Sequence, residues 1–252
     1  MRDWFLPWYE VQLNSTQYFK RGGFGEVYHG EWMGSKVVLK KLHPEKFDES
    51  TFIREVEIWF KLSHPNVLKL FGACHVGQQF FVSEWAGHGQ LDAYLREHRN
   101  LVWEKLHEVA LGLQYLHANM IIHCDLKCNN ILVGLDGKAK VSDFGLSSIS
   151  RDTEVDTAQQ TFGNVRWAAP EVMGGAAPSR ESDIYSFGMC IIEAISGRLP
   201  YFHIRDLAEI RPRVLRGRFH HQPEEFESKA HWELVLKCCE YDSSKRASLP
   251  EI

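Results

Sequence analysis

Apolar positions along this chain follow a strand pattern first and a helical pattern later. Residues 18–42 read as strand, glycine turn, strand, turn, strand. Within them, Val37-Val38-Leu39-Lys40 is a buried strand that ends in a charge. Residues 50–62 place Phe52, Val56, Trp59 and Phe60 at helical spacing. Residues 67–74 and 79–84 read as two more strands. After residue 90 the pattern turns helical. Residues 91–98 form a short helix, and Val102, Leu106, Val109, Leu113 and Leu116 then repeat every three or four residues as one apolar stripe. Residues 131–133 and 138–141 read as a small hairpin. Residues 184–195 form an apolar helix headed by Asp183, whose carboxylate suits an N-terminal cap. Residues 203–252 read as further helices. Residues 1–16, with Trp4, Pro7, Trp8 and Tyr9, are aromatic and irregular, and read as a lead-in packed on the strand-rich part.

Composition changes this picture little. The chain has 252 residues, 44% hydrophobic and 25% charged, enough for one large core or two lobes. A net charge of −4 gives no strong pull toward nucleic acid or an anionic membrane. Met1, Arg2 and Asp3 lead into no apolar signal region. The most apolar stretch, residues 187–195, is short and carries Glu193, so no membrane insertion is expected. The six cysteines (Cys74, Cys124, Cys128, Cys190, Cys238, Cys239) form no paired CxxC array for zinc and imply free thiols in a cytoplasmic setting. The 13 histidines show no metal spacing.

The chemistry concentrates in Ile122-His123-Cys124-Asp125-Leu126-Lys127-Cys128-Asn129-Asn130, followed by Asp143-Phe144-Gly145. A carboxylate that accepts a hydroxyl proton, a lysine beside it, and an amide and a second carboxylate able to ligate Mg²⁺ are the parts of phosphoryl transfer. The segment resembles the catalytic loop and Asp-Phe-Gly motif of a eukaryotic protein kinase. Ala169-Pro170-Glu171 and Asp183-Ile184-Tyr185-Ser186-Phe187-Gly188 follow in family order, so the resemblance covers nearly the whole chain. It implies an α+β, bilobal protein-kinase fold. A small five-stranded sheet lobe with one helix would occupy residues 1–84, a hinge 85–87 and a larger, mainly helical lobe 88–252.

The same resemblance implies ATP and Mg²⁺ as cofactors and assigns residues to them. Asp125 would be the base and Lys127 would neutralise the γ-phosphate. Asn130 and Asp143 would hold Mg²⁺. Gly22, Gly23 and Gly25 would let backbone N–H groups approach phosphate, and Val27 would cover the adenine. Val38 would face the adenine site, and Lys40 would hold the α/β-phosphates. Glu55 would pair with Lys40, with Glu57 as its rival. Ser83 would be the gatekeeper, and backbone groups of Glu84 and Ala86 would bond adenine. His123 would be structural, and Glu171 and Arg246 would form a buried ion pair.

Four positions depart from the family pattern: Lys20 for the first loop glycine, Val38 for alanine, Cys124 for the arginine before the catalytic Asp, and Asn164 for threonine. Lys127 resembles serine/threonine kinases. Gly72-Ala73-Cys74, Arg166-Trp167 and Trp32 resemble the tyrosine-kinase-like group that contains the Raf and mixed-lineage kinases. The expected activity is transfer of the γ-phosphate of Mg-ATP to Ser/Thr hydroxyls of protein substrates in intracellular signalling. A pseudokinase scaffold, or dual or Tyr specificity, is the alternative. Residues 146–168 would be the activation segment, with Ser147, Ser148, Ser150, Thr153, Thr157 and Thr161 as phosphosites. Flanking domains or regulatory partners fit a chain ending at Ile252, where the family's last helix would begin.

Overall fold

A computed structural model describes residues 2–14, 18–22, 25–43, 48–143 and 165–252. Gly23 and the serines, threonines and Asn164 named within 144–164 lie outside the described residues. The chain separates into two compact units, residues 1–87 and 88–252.

The first unit is an antiparallel sheet of β1 (Val11–Leu13), β2 (Lys20–Gly22), β3 (Gly25–Trp32), β4 (Ser35–Leu42), β5 (Leu70–Cys74) and β6 (Phe80–Glu84), with helix α1 (Glu49–Lys61) between β4 and β5. The order is β1-β3-β4-β6-β5, and β2 also pairs with β3. β1 and β2 take consecutive stretches of the same β3 edge: Val11 faces Trp32 and Lys20 faces Val27. The sheet thus has six strands rather than five, because its first strand is split. The split begins within residues 1–16, which are not wholly irregular as the sequence suggested. The lead-in does pack on the sheet: Leu6 N–H donates to Ala73 O (2.9 Å), and Trp4 and Leu6 are buried.

One sheet face buries Tyr28, Val37, Leu39, Phe80 and Val82 with Leu6 and Val11. The other face receives α1. Lys40 sits opposite Phe81, so the two side chains share a face, and Phe81 stacks on Phe52 of α1 with ring centroids 4.9 Å apart. The helix forms because Asp48 caps it, accepting from Thr51 N–H (2.9 Å), and because Phe52, Val56 and Trp59 give one buried stripe.

The second unit opens with β7 (Gly89–Gln90), α2 (Leu91–Glu97) and α3 (Val102–Ala118). All five residues of the predicted stripe on α3 are buried. β8 (Ile131–Val133) and β9 (Ala139–Val141) follow, with Ile131 opposite Val141. Lys105 of α3 is itself buried. Its Nζ donates to Glu104 (2.7 Å), Glu108 (2.9 Å) and Gly137 O (2.7 Å), which fastens the hairpin turn to α3. Then come α4 (Pro170–Met173), α5 (Arg180–Ser196), α6 (Ile210–Leu215) and α7 (Lys229–Cys238). The apolar helix expected at 184–195 starts earlier. Its N-cap is Ser179, in a capping box with Ser182, and Asp183 lies inside the first turn. No helix among the described residues is long and apolar enough to cross a membrane.

Candidate active site

The loop between α3 and β8 gathers its polar groups around one carboxylate. Lys127 Nζ lies 3.0 Å from Asp125 Oδ2 and 3.2 Å from Oδ1. Asn130 Nδ2 donates to Asp125 Oδ2 and to the Asp125 carbonyl, each at 2.8 Å. Lysine and amide therefore hold the carboxylate in one orientation while leaving it about one-fifth exposed. Asn130 spends its Nδ2 on Asp125, so its oxygen is the atom left to a ligand.

The hairpin β8–β9 carries Asp143 to the same end of the loop. Ser142 N–H and Oγ both donate to Asn130 O, at 2.9 and 2.8 Å. Asp143 follows directly, half-buried and in a left-handed backbone conformation (φ 57°). A carboxylate and an amide oxygen are the hard oxygen donors that suit Mg²⁺. The residues present fit that ion.

His123 is fully buried and ties the loop together. Its Nδ1 accepts from Asp125 N–H (3.2 Å), and its Nε2 lies 3.0 Å from Ser142 O. A backbone N–H must donate and a carbonyl must accept, so this imidazole is neutral with its proton on Nε2. Burial pushes its pKa down, in agreement with that form.

Two residues that sequence reasoning did not place in the site support it from α5. Asp183, expected as a helix cap, instead accepts from His123 N–H (2.7 Å), Cys124 N–H (2.9 Å) and lies 2.9 Å from His117 Nε2. Cys124 takes φ 66°, a conformation that β-carbon sterics disfavour and that these bonds hold. Glu193 accepts from Cys128 N–H (3.1 Å) and Trp167 Nε1–H (2.9 Å). Burial raises its pKa, and the two donors oppose that shift. The one carboxylate within the apolar run 187–195 was the available signal for Glu193. Cys128 is buried and packs its thiol against Cys190 O (3.7 Å). Together with Glu193 these two cysteines form the one buried group with metal-ligand spacing among the described residues.

The remaining predicted site residues belong to the first unit. Val27 opposes Lys40 and Val38 opposes Ser83, so Val27, Val38, Lys40 and Ser83 share the sheet face that carries Phe81 and α1. Lys41 lies on the opposite face, with its Nζ 4.5 Å over the Tyr28 ring. Glu55 is buried in α1, whereas Glu57 is half-exposed and paired with Arg2 at 2.7 Å. Gly22 and Gly25 are cross-strand partners. A β-carbon on Gly25 would lie 2.9 Å from Lys41 C, so no larger residue fits there. Glu84 ends β6, and Ala86 lies just before the boundary between the units.

With this arrangement in view, comparison with known proteins defines the class. The profile of the family described as protein tyrosine and serine/threonine kinase matches residues 13–252. The chain belongs to the protein kinase family. Serine/threonine-protein kinase STY46 of Arabidopsis thaliana is 32% identical over 256 residues, covering 97% of this chain and 44% of its own length. Tyrosine-protein kinase SRK3 of Spongilla lacustris is 33% identical over 208 residues, covering 79% of this chain and 62% of its own. Dual specificity protein kinase splA of Dictyostelium discoideum is 30% identical over 278 residues, covering 97% of this chain and 11% of its own. The chain spans less than two thirds of each of these relatives.

Proposed function

We propose that this chain is an active kinase of the tyrosine-kinase-like group that transfers the γ-phosphate of ATP to Ser/Thr hydroxyls of protein substrates. The observation that carries this reading is the Asp125 carboxylate, held by Lys127 and Asn130 and still open to solvent. In it, Asp125 accepts the substrate hydroxyl proton and aligns the oxygen for attack. Lys127 lies beside Asp125 and offsets charge on the transferred group. Asn130 and Asp143 hold Mg²⁺, which when bound offsets phosphate charge. Lys40 holds the α/β-phosphates, and the burial of Glu55 on the α1 face supports it over Glu57 as the partner of Lys40. Gly22, Gly25, Val27, Val38, Ser83, Glu84 and Ala86 form the nucleotide-binding surface.

Lys127 favours Ser/Thr substrates. The printed names of the relatives include serine/threonine, tyrosine and dual-specificity kinases, which keeps dual specificity as the second reading. The test is phosphate transfer from Mg-ATP to separate Ser, Thr and Tyr peptide pools, beside Asp125→Asn. Transfer to Ser and Thr that the variant lowers by at least ~10²-fold, the loss expected of a missing general base, is the expected result. Transfer to Tyr as well supports the second reading. ATP binding with no transfer above the variant makes the chain a scaffold.

A further inference from the structure

Lys20 stands where the family pattern has its first loop glycine, and the sheet sets the way it faces. It pairs with Val27 on β3, and Val27 pairs with Lys40 on β4. The three residues form one row across the sheet, so Lys20 and Lys40 share a face. Two ladder steps separate them, about 10 Å between backbones. Lys20 is exposed, and its flexible four-carbon stem is able to swing along that face.

The strand is bent at this point. Phe19 N–H donates to Val27 O (3.0 Å), although Lys20 is the residue paired with Val27. Two residues therefore oppose one, which makes a β-bulge, a device that re-aims a side chain. Phe19 anchors the bend by stacking on His29, with ring centroids 3.9 Å apart and planes 10° apart.

Charge is matched on one side of this hairpin and left over on the other. On the face away from α1, Arg21 lies 3.8 Å from Glu26, the Tyr28 hydroxyl donates to Glu26 (2.8 Å), and Lys41 lies over the Tyr28 ring. Both basic groups there have a partner. In the row of Lys20, Val27 and Lys40 the sheet supplies no carboxylate. Glu55 of α1 is the partner that the kinase reading gives to Lys40. The Lys20 ammonium makes no ion pair among the described residues. An exposed ammonium beside a second lysine, with one carboxylate between them, leaves a positive charge to be met by an anion.

We propose that Lys20 is a phosphate-binding residue, reaching the same triphosphate as Lys40, so that the nucleotide is held by its charge from two strands at once. This deepens the nucleotide-binding part of the reading above and rests on it. The departure at the first loop glycine then exchanges close backbone approach for an ammonium. Gly22 and Gly25, paired with each other, keep bare backbone two positions further on.

ATP, ADP and adenosine are titrated into the whole chain by calorimetry, without divalent metal. Lys20→Gln is expected to weaken ATP about 10-fold, the scale of one charge-assisted hydrogen bond, and to leave adenosine affinity unchanged. Lys20→Arg, which keeps the charge, should retain the ATP affinity. Adenosine binding reports in each variant that the sheet has folded. Equal ATP affinity in wild type and Lys20→Gln overturns the proposal, as does an equal loss for adenosine or a wild type that binds no ATP. A loss as large in Lys20→Arg as in Lys20→Gln also overturns it, because charge is then not the cause. The expected loss of ATP affinity in a chain that transfers no phosphate to peptide counts against the kinase reading alone.

Discussion

At Asp125 the main-chain N–H is held by an imidazole that must stay neutral to accept it. Burial lowers the His123 pKa from its ordinary value of about 6.5. The unfolded chain therefore takes up a proton at a pH where the folded protein does not. The stability that His123 contributes is complete above about pH 6.5 and declines as pH falls from there toward the folded value. His203 and His220 are shifted down too and add to the same trend. The melting temperature should fall between about pH 7 and pH 5.5, and His123→Gln should flatten part of that slope. An unaltered slope would assign the acid sensitivity to other groups. At this scale the polar cluster around Asp125 was legible, because Asp125, Lys127 and Asn130 lie within six residues and their contacts are local. The roles of Asp183 and Glu193 were not, because each acts about sixty residues away along the chain. A cap preference describes a residue's neighbours in sequence and carries no information on such partners.

Helix α5 is the element to which the second unit is fastened. Its Gly188 lies against α7, where an added methyl would meet Cys239 Sγ and come within 2.9 Å of Cys238 Cβ. Gly188→Ala should cost about 1–3 kcal/mol of overpacking, read as a lower urea midpoint at unchanged slope. Arg246 bridges α4 and α5. It takes Glu171 in two bonds of 2.6 and 2.7 Å, donates to Glu181 O (2.8 Å) and lies 5.1 Å over the Tyr185 ring. The arginine side chain is fully buried and its partner carboxylate about a quarter exposed. Arg246→Ala removes the buried half of the pair, leaves the partly buried Glu171 carboxylate unpaired and should cost about 3–5 kcal/mol. The melting temperature should drop by roughly 6–20 °C in a chain of this size, with little change in nucleotide affinity. Unchanged melting would deny the pair that weight. The elements themselves were legible where apolar periodicity was strong, as on α1 and α3. Boundaries were less so: residues 67–69 precede β5 without joining it, and β1 was hidden because three residues are too few to establish a period.

For the chain as a whole, the shift from strand to helix periodicity was legible, and the division into two compact units falls after residue 87. The split first strand was not, since both pieces depend on pairing with β3. Cys124 stands where the family resemblance expects an arginine that would pair with a phosphate on the activation segment. Its N–H holds Asp183, and its side chain brings no positive charge to a phosphorylated segment. Phosphatase treatment should therefore lower peptide transfer by less than about tenfold, the equivalent of one charge-assisted hydrogen bond. A larger fall would show that another cation takes over the arginine's part.

The hairpin between β3 and β4 turns on Met33 and Gly34 alone, with φ of 49° and 75° and eight cross-strand pairs running down from it. That surface turn sets the parity of β4. A single residue entering the ladder there would send Lys40 to the face of Tyr28 and bring Lys41 round to α1. Length changes that enter this ladder among descendants of the chain should accordingly come in even numbers. Odd ones should stay confined to the turn, where they leave the two lysines in place.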